Sequence, residues 1–474
     1  MDRKFIIIVG VLMAAEITSA FETSMVVAGL QSWIEIYKDP ISVGWLVTSY
    51  LLVGSSSAAI CGRLGDIYGR KLVLLIVLSC CLIGSLISAT AHSLELMIFG
   101  RAIQGAAGAI IPLCYGLARE HLPAERVPTA VGLIVAIAGI GAVIGLLVGG
   151  ILTDAFGPHS IFWASSALAV ISLTSSLLLL PPSTPQPRTG KLDILGAVLF
   201  APAIALLLFG MGEGSGGGWT SATALGCFAT SAILLTVWTL HELRLPDPLI
   251  DVRLFANRNV LIANLVLACL AVGAFQFTQL MAMLMQQPEW TLVGLGVSAT
   301  FVGVLRTPSI VTGAICSTWA GWASGRYGGR VPTLVGCIAV ACALFVAVFN
   351  HSEVWVIFAV SMISGMGIQA AYAGVPNIII AAVPPGRTSE TTGLMAVVRA
   401  VSRAVGAQML VVVLASSTIK DSVGGAQYPD NQAYTTVLAI MCGLAVLGVV
   451  LTLMLPAGQP TAKTAPAISG VGVS

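Results

Sequence analysis

The sequence is poor in charge. Asp, Glu, Lys and Arg make up only 9% of its 474 residues, where an ordinary globular chain carries about 25%. So few charges cannot clothe a water-soluble particle, and with 57% of the residues hydrophobic the solvent around most of the chain is lipid. An excess of charge of one sign is missing too. The 22 Lys+Arg against 20 Asp+Glu leave a formal charge of +2, which supplies no basic field for nucleic acid. Cysteines at metal spacing are absent. All ten sit in or beside apolar runs without a CxxC pair, and the five histidines lie at helix ends or in loops and cluster with nothing. A zinc site, a disulfide scaffold and a Ser-His-Asp triad therefore have no support, and no metal is expected. No GxxxxGK[ST] occurs, so ATP hydrolysis on a P-loop is excluded, and Gly212–Gly218 reads as a flexible turn. What remains is an all-α polytopic membrane protein that is not an enzyme.

A bilayer core takes about 20 apolar residues per helix. The apolar runs predict fourteen spans, at 5–29, 41–61, 72–91, 94–118, 128–153, 160–181, 193–212, 219–240, 259–285, 292–322, 332–349, 353–381, 391–418 and 434–455, separated by short segments rich in Gly, Pro or charge. With the N-terminus in the cytoplasm, the cytoplasmic segments hold Arg3, Lys4, Arg63, Arg70, Lys71, Arg119, Arg126, Arg188, Lys191, Arg244, Arg253, Arg258, Arg326, Arg330, Arg387 and Lys463, and the other side only Lys38 and Lys420. That asymmetry of 16 to 2 predicts an even number of spans with both termini cytoplasmic. Arg3, Lys4 and the apolar run from Phe5 imitate a secretory signal, but Glu16 inside the run is foreign to one, and the first helix is expected to be retained. The tail 456–474 reads as a disordered cytoplasmic end.

One loop occurs twice. The turn after the second span reads Gly62-Arg63-Leu64-Gly65-Asp66-Ile67-Tyr68-Gly69-Arg70-Lys71, and the turn after the tenth reads Gly321-Trp322-Ala323-Ser324-Gly325-Arg326-Tyr327-Gly328-Gly329-Arg330, at a constant offset of 321 − 62 = 259. Each copy lies two spans into its half. The repeat predicts an N-terminal six-helix bundle (1–181), two inserted linker helices (182–257) and a C-terminal six-helix bundle (258–455). The fifth span carries Gly141, Gly145, Gly149 and Gly150, a small-residue stripe suited to close helix packing.

These residues resemble the major facilitator superfamily, specifically its 14-helix drug:proton antiporter branch, over essentially the whole chain. Gly62–Lys71 is similar to the superfamily's signature loop, Arg101-Ala-Ile-Gln104-Gly105 to its helix-4 motif, and Gly141, Gly145, Gly149 and Gly150 to the helix-5 antiporter motif. Trp45 with Tyr50, and Pro248-Leu249-Ile250-Asp251, are weaker matches. Two departures stand out. Leu146 replaces the proline that usually follows the second glycine of the antiporter motif, so the bend it helps to provide is not implied here. Gly325 stands where the first loop has Asp66. The resemblance implies a proton-coupled transporter in a bacterial plasma membrane that exports lipophilic or amphipathic compounds by alternating access. It would work as a monomer, with the proton gradient in place of any cofactor. The alternative is proton-coupled transport of a specific organic anion or metabolite.

Ionisable groups within spans are costly and therefore informative. Glu22 stands where the family usually has an acidic residue in helix 1, which makes it the first choice for proton carrier, the alternative being a structural ion pair. Low dielectric favours the neutral form of a carboxylate, so a buried one can load and release a proton. Glu16, six residues earlier and about 120° away on the helix, is a second carrier or a substrate contact. Arg101 either tunes or relays for a carboxylate, or anchors helix packing. Arg399 stands where the family often has arginine, which implies a structural or gating role, whereas Arg306 and Arg403 are less usual for the family. With Arg101 they make four deep positive groups against two negative ones, a hint of an anionic or zwitterionic substrate. Arg399 and Arg403 share a helix face, which like charges avoid unless an anion sits between them. Gln104, Gln276, Gln279, Gln369, Tyr372 and Asn377 are candidates for the cavity lining, or for interhelical hydrogen bonds. Gly62, Arg63, Asp66, Gly69, Arg70 and Lys71 are expected to form a cytoplasmic gate, with Asp66 capping a helix or pairing with an arginine.

Overall fold

The computed structural model describes residues 3–37, 40–183, 193–245, 248, 252–291, 293–297, 299–351, 353–420 and 427–456. Its helices are α1 (Arg3–Tyr37), α2 (Pro40–Tyr68), α3 (Arg70–Ala89), α4 (Leu94–Gln104), α5 (Ile110–His121), α6 (Val127–Phe156), α7 (Ser160–Leu179), α8 (Ile194–Gly217), α9 (Ala222–Arg244), α10 (Arg258–Val272), α11 (Phe277–Gln286), α12 (Ala299–Tyr327), α13 (Arg330–Phe349), α14 (Val354–Ala382), α15 (Thr388–Ala415) and α16 (Asn431–Leu453). A short 3₁₀ turn joins α4 to α5 and another joins α10 to α11, so each pair forms one column and the sixteen helices make fourteen columns. Twelve stretches among the described residues are long and apolar enough to cross a membrane. The columns outside that set are α8, whose apolar part Val198–Met211 is short, and α12. The arginines at 188 and 306 are a special case: Arg188 and the 306 side chain lie outside the described residues, as do Lys191, most of the 248–251 motif and the tail from 457.

Several predicted boundaries move. α1 runs on to Tyr37 and α2 to Tyr68, past the ends expected at 29 and 61, and α8 stays helical to Gly217, through most of the segment read as a flexible turn. The span expected at 292–322 begins only at Ala299, because Val293–Val297 is an irregular stretch in which Gly296 has φ +60. The span expected at 391–418 stops at Ala415. There the chain enters the strand β1 (Thr418–Lys420), which pairs antiparallel with β2 (Gln427–Pro429), Ile419 opposite Tyr428. Side chains cap the helices that follow loops: Asp430 accepts from the Ala433 N–H at 2.8 Å and Asp193 from the Gly196 N–H at 2.9 Å.

Without a hydrophobic force between helices in lipid, close packing of small residues holds them together. In the α6 stripe, a Cβ on Gly141 would lie 2.9 Å from the Ala20 Cβ, one on Gly145 3.0 Å from the Phe21 carbonyl, and one on Gly149 3.0 Å from the Met25 carbonyl. The stripe thus seats α6 on α1. Gly150 is not part of this contact, for a Cβ there would meet nothing within 4 Å. The first and second halves meet along two seams. On α2 and α15, a Cβ on Gly62 would lie 2.5 Å from the Ser389 carbonyl; on α6 and α12, one on Gly321 would lie 2.5 Å from the Pro128 carbonyl. Both contacts lie at the end of the molecule that carries the duplicated loops, called the loop side below.

The two loops are geometric copies. Gly69 (φ +101) and Gly328 (φ +81), 259 residues apart, turn the chain in a conformation that a Cβ opposes. Lys71 Nζ then donates to the Leu177 and Leu180 carbonyls at the end of α7, and Arg330 Nη2, 330 − 71 = 259 residues on, donates to the Leu453 carbonyl at the end of α16. A cation at a helix C-terminus satisfies carbonyls that have no partner in the helix. The α8 column lies over the α2–α15 seam, where Phe200, Ile204 and Trp238 (of α9) pack with Ala59, Leu394 and Val397.

Replacing Gly145 with Val should overpack the α1–α6 contact at a cost of about 1–3 kcal/mol. We expect a lower unfolding temperature of the detergent-solubilised protein, while Gly150→Val should leave it nearly unchanged. Equal shifts for the two would show that the stripe does not carry the contact.

Candidate functional site

The loop side is closed by an ionic and hydrogen-bonded cluster between α2 and the start of α15. Asp66 is a buried cap there: its Oδ2 accepts from the Glu390 N–H at 2.9 Å, across the seam, while its Oδ1 accepts from Arg70 Nε at 2.8 Å. An anion at a helix N-terminus meets unsatisfied N–H groups and the positive end of the helix dipole. Arg63 Nη1 pairs with Glu390 Oε2 at 3.0 Å, and both side chains are almost fully buried. Arg70 also donates to Ser389 Oγ at 3.0 Å and to the Pro385 carbonyl at 2.6 Å, and Arg119 Nη1 donates to Thr388 Oγ1 at 2.8 Å. Of the six expected gate residues, Gly62, Arg63, Asp66 and Arg70 thus touch the other half. Gly69 makes the turn, and Lys71 binds α7 on its own side. The receiving partners Thr388, Ser389 and Glu390 were missed in the sequence, although a Ser/Thr run ending in an acid is an ordinary helix-start signal. At the second seam Gly325 replaces the acid, and a Cβ there would lie 3.4 Å from the Glu125 carbonyl.

Two separate carboxylate centres lie deeper. Glu22 is fully buried among the first seven helices. Its Oε1 accepts from Ser165 Oγ at 3.0 Å and from Ser85 Oγ at 3.4 Å. Gln104 Nε2 donates to Ser85 Oγ at 2.5 Å and Arg101 Nη1 to Gln104 Oε1 at 2.8 Å, so a chain of hydrogen bonds runs from Glu22 to Arg101. The arginine is held in turn by the Leu46 carbonyl at 2.9 Å and by the Tyr50 ring, 4.3 Å from its guanidinium carbon. Glu22 Oε2 has no hydrogen-bond partner among the described residues. Gln104, expected at the cavity wall, serves as the bridge in this chain.

Glu16 faces another direction. It is buried, its Oε2 has no partner among the described residues, and its electrostatic neighbour is Arg399 of the other half. The Arg399 guanidinium stands 5.1 Å from the centre of the Tyr372 ring, which meets Phe275 edge-on at 6.0 Å. The remaining candidates divide. Gln276 Nε2 donates to the Ala271 carbonyl at 3.1 Å and to the Arg403 carbonyl at 3.0 Å, pinning the α10–α11 break to α15. Asn377 donates to the Ala373 carbonyl of its own helix at 2.8 Å. Gln369 fills the space beside Gly139 and Gly313, between α6 and α12, whereas Gln279 and Arg403 are exposed. No group of three or more His, Cys, Asp or Glu suited to a metal occurs among the described residues.

Alongside this all-helical architecture, a sequence profile described as Major Facilitator Superfamily matches residues 12–407. The chain belongs to that superfamily. Its members are transporters rather than enzymes. Among its relatives is the multidrug resistance protein Stp of Mycobacterium tuberculosis, 27% identical over 375 residues (78% of this chain and 68% of the relative). The riboflavin transporter RibZ of Clostridioides difficile is 25% identical over 419 residues (86% and 88%). The human organic anion transporter MFSD10 shares the fold with a TM-score of 0.66 at 15% identity, covering 95% of this chain and 100% of that one.

Removing the Arg63 guanidinium while Glu390 stays buried should cost the closed loop side about 3–5 kcal/mol. In a cysteine-depleted background, Ser389→Cys should react slowly with a water-soluble maleimide and much faster when Arg63→Gln is added. An unchanged labelling rate would show that the pair does not hold this end shut.

Proposed function

We propose that the protein is a proton-coupled exporter of lipophilic or amphipathic small molecules, working by alternating access, with Glu22 as the proton carrier. The observation that carries this reading is the Glu22 centre, a carboxylate buried at membrane depth with one oxygen unpartnered among the described residues and the other held by serine hydroxyls. Intramembrane ionisable groups are costly and are kept where they work. The chain Ser85–Gln104–Arg101 couples the charge state of Glu22 to a cation pinned on α2 through the Leu46 carbonyl. The multidrug resistance relatives support export of foreign compounds, while the riboflavin transporter among them keeps a single metabolite as the alternative substrate.

In this reading the loop side is cytoplasmic, fourteen columns span a bacterial plasma membrane, and both termini lie inside. The structure then represents the state closed to the cytoplasm. Residues 1–181 and 258–455 are the two rocking bundles, 182–257 the inserted pair and 456–474 a cytoplasmic tail. The monomer is the working unit, and the proton gradient drives it without a cofactor.

Everted vesicles with a proton gradient reported by a quenched dye test the reading. Cationic, zwitterionic and anionic compounds are added in turn to vesicles holding the native chain or Glu22→Gln. We expect dequenching with the native chain and its loss, by tenfold or more, in the variant. Dequenching untouched by the substitution would remove Glu22 from the role of carrier.

A further inference from the structure

The chain holds two guanidinium groups that form no ion pair among the described residues. Arg399 and Arg403 lie one turn apart on the same face of α15. That face is turned inward, since Arg399 stands over Tyr372 of α14 and senses Glu16 of α1. The Arg403 side chain is nevertheless exposed, so packed protein does not enclose it. Among the described residues no carboxylate lies within 4.0 Å of either guanidinium, and Glu16 is the one acid in electrostatic range of Arg399. Two cations against one anion leave a positive surplus at membrane depth, where an unbalanced charge is costly.

The surroundings carry unused hydrogen-bonding groups. The hydroxyls of Tyr115 and Tyr372 are buried and have no partner among the described residues, and both rings belong to the environment of Arg399. Buried polar atoms without partners are rare in packed protein and point to a missing ligand or water. The backbone beside Arg403 is fixed, because its carbonyl accepts from Gln276 at the α10–α11 break. Interrupted helices are tolerated at such depth only where they are buried in protein or line a cavity.

We propose that Arg399 and Arg403 form a recognition site for the anionic group of a transported compound, a carboxylate or sulfonate carried on an aromatic body. The two guanidinia supply paired donors suited to a planar or branched oxyanion, the tyrosine hydroxyls supply neutral donors, and the Tyr372 and Phe275 rings supply an apolar floor. Without ligand, Glu16 is the partial counter-ion. The site rests on reading the chain as a transporter with its substrate path between the halves. It lies apart from the Glu22 centre.

Binding is measured calorimetrically on the full chain in lipid nanodiscs, with empty nanodiscs subtracted and no proton gradient present. The probes are naphthalene-1-sulfonate and 1-naphthoate, each beside its neutral amide, and naphthylmethylammonium. The native chain should bind each anion at least tenfold more tightly than its amide. Arg403→Gln, at an exposed position, should abolish that preference, and Arg403→Lys should restore part of it. Arg399→Gln should act in the same direction, and its elution profile on gel filtration reports whether it folds. Anions bound no better than their amides, or a preference that survives Arg403→Gln, would overturn the site. Because no gradient is used, anion binding with no dequenching in vesicles would sink proton coupling and leave the site standing. Dequenching without anion preference would do the reverse.

Discussion

A charge away from water must be matched by a partner or be put to use. This constraint explains most of what is unusual in the fold. Where the chain buries ions for structure, it matches them closely. Arg63 meets Glu390, Asp66 meets both Arg70 and a helix N-terminus, and Lys71 and Arg330 meet the bare carbonyls of helix ends. Where matching is incomplete, at Glu22, Glu16, Arg399 and Arg403, the groups lie deep in the helical columns and away from the sealed end. The contrast between neutralised and surplus ions sets the sealed end apart from the deeper helical columns more sharply than position along the chain does.

Much of this was legible in the sequence. The helical columns follow from runs of about 20 apolar residues, and the matching turns at Gly69 and Gly328 from one loop repeated 259 residues apart. Asp66 as a helix cap and the packing role of Gly141, Gly145 and Gly149 were also readable, because each depends on a local pattern. The receiving side of the gate was not, since Ser389 and Glu390 become partners of α2 only when segments more than 300 residues apart are brought together. The two glutamates show the same limit. Helical geometry places Glu16 and Glu22 on different faces, but only the fold reveals that one looks into a half and the other across to its counterpart.

The seams are unequal although the loops that bound them are copies. Asp66 gives the α2–α15 seam a charge-dependent closure. Gly325, at the matching position, leaves the α6–α12 seam to close by backbone contact around Gly132 and Gly321. Parting the first seam would separate the Arg63–Glu390 pair and Asp66 from the start of α15, whereas the printed contacts of the second are backbone against backbone.

The position of α8 adds a further condition. Its aromatic and aliphatic side chains lie against residues of both α2 and α15, the two helices that must part if the loop side opens. The inserted column can follow only one of them. Whichever it leaves would uncover an apolar strip that needs another cover, so α8 adds a hydrophobic resistance to any parting of α2 from α15.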